Sequence, residues 1–205
     1  MSWSLVIRSI ISEFSGGHPA SGLVVRESLR LMADSPAFYV AQSPVLLPFL
    51  FNETTEVPPA YKSNSPFSGD VGKLYAVMRA KTLHFSSMDA WLDFSRTCDL
   101  SFGMRIHGTM VPLQAGVPSI LISHDSRTSG LAQQMGIPTL SPETFVRSYA
   151  EGPSEMLSRI AHTMDDYDAR RAELAGVMRD YLVVNGLNPH GSLRGLMRET
   201  VPSPA

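Results

Sequence analysis

The sequence predicts an α/β protein, a parallel sheet covered by helices, and three observations carry that class. Short runs of aliphatic and β-branched residues alternate with stretches of helical apolar spacing, the β–α–β–α order of a parallel sheet. Clusters of Gly, Pro, Asn and Ser separate them. Apolar residues make up 43% of the 205 and charged residues 18%, which suits a folded domain with a real core and excludes a disordered or disulfide-rich chain.

Residues 4–11 (SLVIRSII) read as the first strand, which runs into a turn cluster at residues 15–19 (SGGHP). Leu23, Val24, Leu29, Leu31 and Met32 then fall at helical spacing, giving a helix over Ser21–Asp34 that Ser35 and Pro36 end. Residues 37–42 (AFYVAQ) are strand-like, and Pro44 and Pro48 keep the next element short or broken. Residues 52–69, rich in Pro, Ser, Thr and Asn, form a long loop of the kind that serves as a lid or a plain surface excursion. The alternation then resumes: helices at 71–79, 88–97, 105–115 and 127–135, with strands at 82–85, 99–102, 119–123 and Thr139–Leu140. Two helical stretches, around 155–166 and 169–184, close the chain before the stop at Asn185 and Gly186. A single domain over 1–187 and a frayed tail over 188–205 are expected.

Charge and cysteine content remove several function classes. Lys and Arg total 17 against 19 Asp and Glu, a net charge of -2 with no basic stripe, so a nucleic-acid partner is not expected. Cys98 is the single cysteine and allows neither an internal disulfide nor a cysteine-based zinc site. With no apolar run near ~18 residues and no signal-peptide pattern, a cytoplasmic location without a transmembrane segment is the default expectation.

In an open α/β sheet, ligands bind where the carboxyl ends of strands lead into helix N-termini, so the loops there hold the candidate residues. Arg105 and His107 fall in the first turn of a helix, where free N–H groups and the macrodipole already favour an anion. A cation there needs a reason, and either an anionic ligand or a nearby carboxylate supplies one. Gly103 lets the backbone turn and approach closely, and Gly108 thins the helix beside His107. The next such loop holds His124, Asp125 and Arg127. Asp125 or Ser126 suits an N-cap, Asp125 can orient His124 or His107, and Arg127 adds a second positive charge. His18, His84, His162 and His190 show no metal-ligand spacing, so no metal is expected. No G-x-G-x-x-G, P-loop or G-x-S-x-G pattern is present.

The ordered segments WLDF (91–94), CDLSFGMRIHGT (98–109), LQAGVPS (113–119) and HDSRT (124–128) together resemble the polysaccharide pyruvyl transferase family. The resemblance covers about residues 88–142 and is loose over 15–42. It implies a Rossmann-like sheet with helices on both faces, one half of a fold similar to the B-type glycosyltransferases, with the active site between the halves. It also implies transfer of a pyruvyl group from phosphoenolpyruvate to sugar hydroxyls as a ketal, in cell-surface glycan synthesis and with no further cofactor. The family's R-x-H motif maps onto Arg105, which would hold the carboxylate or phosphate of phosphoenolpyruvate, and onto His107, which would act as acid or base near C2 and C3.

Family members carry an N-terminal domain for which this chain has no room. The expectation is therefore a C-terminal half, completed by a separate N-terminal half or a homo-oligomer and acting on a glycan or lipid-linked sugar. Two rivals remain open: a noncatalytic remnant that binds an anion or a sugar nucleotide, and a glycosyltransferase using a nucleotide sugar. All of them require Arg105, His107 and residues 124–127 to converge at one sheet edge, and a missing half predicts an exposed apolar patch beside them.

Overall fold

The computed structural model describes residues 7–14, 19–151 and 153–189. Its centre is a six-stranded sheet with every neighbouring pair parallel. In chain order the elements are β1 (Ser9–Ser12), α1 (Ser21–Asp34), β2 (Ala37–Val40), a 3-10 turn at Pro44–Leu46, α2 (Leu47–Leu50), α3 (Pro59–Ser63), α4 (Val71–Lys81) and β3 (Thr82–Leu83). Next come α5 (Met88–Ser95), β4 (Leu100–Gly103), α6 (Ile106–Gln114), β5 (Ser119–Ile122), α7 (Ser126–Met135), β6 (Thr139–Leu140), α8 (Pro142–Glu151) and α9 (Pro153–Val184).

The strand order is β3-β2-β1-β4-β5-β6, so the chain builds one half outward from β1, then returns to β4 and builds the other half in the opposite direction. Adjacent residues of a strand face opposite sides, and the core divides accordingly. Ile11, Tyr39, Phe102 and Ile120 pack with α1, α4 and α8 on one face. Ile10 and Val40 pack with Trp91 of α5 and Val111 of α6 on the other, where Leu121 also meets Ala132 of α7 and Tyr167 of α9. The helices on both faces make this the Rossmann-like α/β architecture that the sequence predicts. Among the described residues, no helix is long and apolar enough to cross a membrane.

Four differences from the sequence reading have physical causes. The first strand is Ser9–Ser12 rather than 4–11, since hydrogen-bonded pairing with both neighbours begins at Ser9, and residues 4–6 lie outside the described chain. The proline-rich segment contains the short helix α3, held down because Tyr61, 7% exposed, places its hydroxyl 2.7 Å from that of Tyr39. Helix α8 occupies a stretch where the apolar spacing alone predicts none. The two closing helices are one: the expected break at residues 167–168 holds no Gly or Pro, and Tyr167 there is 5% exposed in the core.

The β1–β4 contact depends on missing side chains. A Cβ added at Gly103 would overlap the Ser12 hydroxyl and lie 2.6 Å from the Ser12 carbonyl oxygen, and one at Gly108 would overlap the Ser12 Cβ. Gly103→Ala is expected to destabilise the protein by about 1–3 kcal/mol, the usual cost of overpacking. Gly130, inside α7 with nothing within 4 Å of an added Cβ, gives the opposite sign. Gly130→Ala should stabilise by roughly 0.5–1 kcal/mol. Urea unfolding of the two variants against the parent checks both.

Candidate functional site

Strand order reverses between β1 and β4, and at such a switch point the connecting segments leave to opposite faces and a crevice opens at the carboxyl ends. Residues just beyond those ends must therefore face it. After β4, Met104 is buried, and Arg105 is the N-cap of α6 in an extended conformation with no side-chain capping bond. After β5, Asp125 caps α7: its carboxylate accepts the Thr128 backbone N–H at 2.7 Å and the Thr128 hydroxyl at 2.8 Å. The N-terminus of α6, which has no side-chain cap, thus lies beside the Asp125-capped N-terminus of α7.

Between them is a hollow of about 220 Å³. Arg105, His107, His124, Asp125 and Arg127 all line it, so the candidate loops do converge at one edge of the sheet. His107 and Arg127 are exposed. His124 has a side chain only 7% exposed, with Nε2 3.3 Å from Asp125 Oδ2 and a buried Nδ1 that has no partner among the described residues. Asp125 therefore faces His124, of the two histidines it was expected to orient. The hydrogen bonds from the Thr128 backbone and hydroxyl, with His124 a smaller influence, hold the Asp125 carboxyl below the usual carboxylate range.

Two expectations need correction. Gly103 and Gly108 were expected to bring backbone to a ligand, but Ser12 and Gln42 fill the space beside them and they line neither hollow at the crevice. They serve close packing of β4 and α6 against β1. Nor is an external anion needed to explain a cation at the α6 N-terminus, because Glu13 supplies a counter-charge 3.6 Å from Arg105 Nε. That separation is too long for a hydrogen bond, and the buried Nε has no hydrogen-bond partner among the described residues.

Glu13 is the residue the sequence reading missed. Its side chain is 4% exposed, its Oε2 accepts the backbone N–H groups of Gln42 at 2.7 Å and Ser43 at 2.5 Å, and Oε1 accepts the Ser43 hydroxyl. An acidic residue directly after the first buried strand was the available signal. A second hollow of about 260 Å³ lies on the Glu13 side and shares Arg105 as a wall.

The other histidines stand apart. His84 Nδ1 lies 3.2 Å from the Ala41 carbonyl and its ring packs edge-on against Phe51. His18, His190 and the side chain of His162 lie outside the described residues. No cluster of metal-ligating side chains occurs among the described residues. The expected apolar patch is also missing here: of the large apolar residues lining the two hollows, only Val45 (61%) and Leu131 (36%) are exposed. Exposed apolar side chains gather instead on the last turns of α9, at Val177, Met178, Tyr181 and Val184.

The Asp125 cap has a pH signature. Its carboxyl is lowered on folding, so the cap's stabilisation is fully present above the unfolded value near ~3.9 and is lost as pH falls through the lower folded value. The gap in melting temperature between the parent and Asp125→Ala should therefore stay constant from pH ~7 to ~5 and close in stronger acid. Thermal unfolding monitored by circular dichroism across that range tests it.

Comparison with known proteins bears on this edge of the sheet. Residues 56–126 match the family model "Polysaccharide pyruvyl transferase". The amylovoran biosynthesis protein AmsJ of Erwinia amylovora is 23% identical over 78 residues, which are 38% of this chain and 18% of that protein. The family match starts earlier than the motif-bearing segments and stops one residue short of Arg127, but it contains Arg105, His107, His124 and Asp125. Over residues 56–126, from the proline-rich segment to the first residue of α7, the chain is similar to the polysaccharide pyruvyl transferase family.

Proposed function

We propose that this chain is the donor-binding, C-terminal half of a pyruvyl transferase that takes phosphoenolpyruvate as donor and sugar hydroxyls as acceptor, in the synthesis of a polysaccharide. One observation carries the reading. Arg105 Nε and His124 Nδ1, both buried and without hydrogen-bond partners among the described residues, meet at a hollow beside the uncapped N-terminus of α6, where unpaired N–H groups favour an anion. The family match over this stretch and the AmsJ relative, named for biosynthesis of amylovoran, support it.

In this reading Arg105 and the helix N-termini hold the donor's carboxylate or phosphate, with Arg127 adding charge at the rim. His107, exposed at the mouth, delivers a proton to C3 and leaves C2 electron-poor. One sugar hydroxyl then adds to C2 and returns its proton to His107, the C2–O bond to phosphate breaks, and a second hydroxyl closes the ketal, its proton passing to the released inorganic phosphate. Asp125 orients His124 at the floor. The acceptor would approach from the open side of the crevice. A cytoplasmic site of action belongs to the same proposal.

Binding is the direct test. Phosphoenolpyruvate should bind the chain with a dissociation constant on the order of 1 mM, about -4 kcal/mol. Arg105→Ala removes a charge-assisted hydrogen bond worth roughly 1.5–3 kcal/mol and should abolish detectable binding. His107→Ala should weaken it less, because that side chain moves protons more than it holds charge. Calorimetry on the three proteins decides: equal affinity in the parent and Arg105→Ala means that the motif is scaffold.

A further inference from the structure

The hollow on the Glu13 side of Arg105 has a chemistry of its own. A carboxylate accepts hydrogen bonds at roughly four positions, and protein donors fill three on Glu13: the N–H groups of Gln42 and Ser43 and the Ser43 hydroxyl. Among the described residues, one acceptor position stays open on a side chain that is 4% exposed and fixed by backbone. Ser21, the first residue of α1, is 9% exposed and places a buried hydroxyl with no partner among the described residues at the same hollow. Asn64 donates through Nδ2 to the Ala60 carbonyl at 2.8 Å, while its Oδ1 accepts from no described residue. Arg105 contributes donors alone.

Such a wall does not suit an anion. Phosphate or carboxylate would satisfy Arg105 but would meet the Glu13 charge and the Asn64 oxygen, neither of which it can donate to. A hydroxyl group both donates and accepts, so it can give its proton to Glu13 or Asn64 and take one from Arg105 or Ser21. The remaining surface is apolar, with Phe14 and Val25 inside and Val45 61% exposed at the rim, as the C–H face of a sugar ring requires.

We propose that this hollow binds a neutral polyhydroxylated ligand, a sugar ring, and that Glu13 selects it by accepting a hydroxyl proton and repelling anions. The site stands on its own residues. If the anion reading of the neighbouring hollow also holds, the two ligands meet across Arg105, which places acceptor hydroxyls beside the donor.

Saturation-transfer NMR on the full chain, with a panel of neutral methyl hexopyranosides and separately with phosphoenolpyruvate, tests it. At least one glycoside should bind with a dissociation constant on the order of 1–10 mM. Val45→Trp fills the mouth from an exposed position and should abolish that signal while leaving phosphoenolpyruvate binding unchanged. Glu13→Gln keeps the shape but removes the charge, and should weaken the glycoside about tenfold, since ionised acceptors bond roughly twice as strongly as neutral ones. No glycoside binding to the parent, undiminished binding to Val45→Trp, or displacement of the glycoside by phosphoenolpyruvate overturns the proposal. Loss of phosphoenolpyruvate binding by the parent with glycoside binding intact overturns only the anion reading.

Discussion

The seam between β1 and β4 is the constraint on which the rest of the structure depends. Ser9–Ser12 pairs with Ala37–Val40 on one side and with Leu100–Gly103 on the other, so each half of the sheet starts from the same four residues. Ser12 is fully buried and occupies the volume that side chains at positions 103 and 108 would need. Glycine at both positions lets β4 and the first turn of α6 close on β1. Because strand order reverses at that seam, the helices beyond it diverge, and the first residues past the strands are left uncovered. Glu13 and Arg105 are among them, so their meeting comes from strand order together with two missing side chains.

Electrostatics at the crevice depend on that placement. An unpaired buried carboxylate would cost several kcal/mol, and Glu13 avoids this through backbone N–H groups at the end of β2 before Arg105 is considered. Its charge also offsets the penalty of a cation at a helix N-terminus. Arg105 thereby keeps hydrogen-bonding capacity while much of its charge is balanced, and the smaller hollow adds a second cation, Arg127, and the uncapped end of α6 against the Asp125 carboxylate. The two hollows share one side chain but are unlike in charge.

The class of the fold was legible because alternation of strand and helix is a local pattern, and each buried strand here is a short apolar run flanked by turn residues. Strand order was not legible, since no local signal distinguishes β4 returning beside β1 from β4 continuing beside β3. Helix α8 was readable and overlooked: Ser141 caps it through the Thr144 backbone N–H at 3.1 Å, with Pro142 and Glu143 next in the positions a helix start favours. The Arg105 and His124 loops were found because each comes after a strand and carries charge. Glu13 comes after a strand too, but its importance comes from Gln42 and Ser43, about thirty residues away and brought alongside only by the pairing of β1 with β2.

The spacing of the R-x-H motif has its own explanation in the start of α6. Arg105 is still extended while Ile106 and His107 have begun to turn, so three consecutive side chains leave the backbone in different directions. Ile106 is partly buried and packs against the cluster that contains Leu113, Ala132 and Tyr167, which pins the first turn of the helix to the core. With that residue fixed inward, its neighbours are held outward at the crevice: Arg105 along the wall shared by the two hollows, His107 at the mouth of one. Moving either by one position would put a charged or titratable group where Ile106 packs, so the spacing is set by the apolar residue between them as much as by the two that face the crevice.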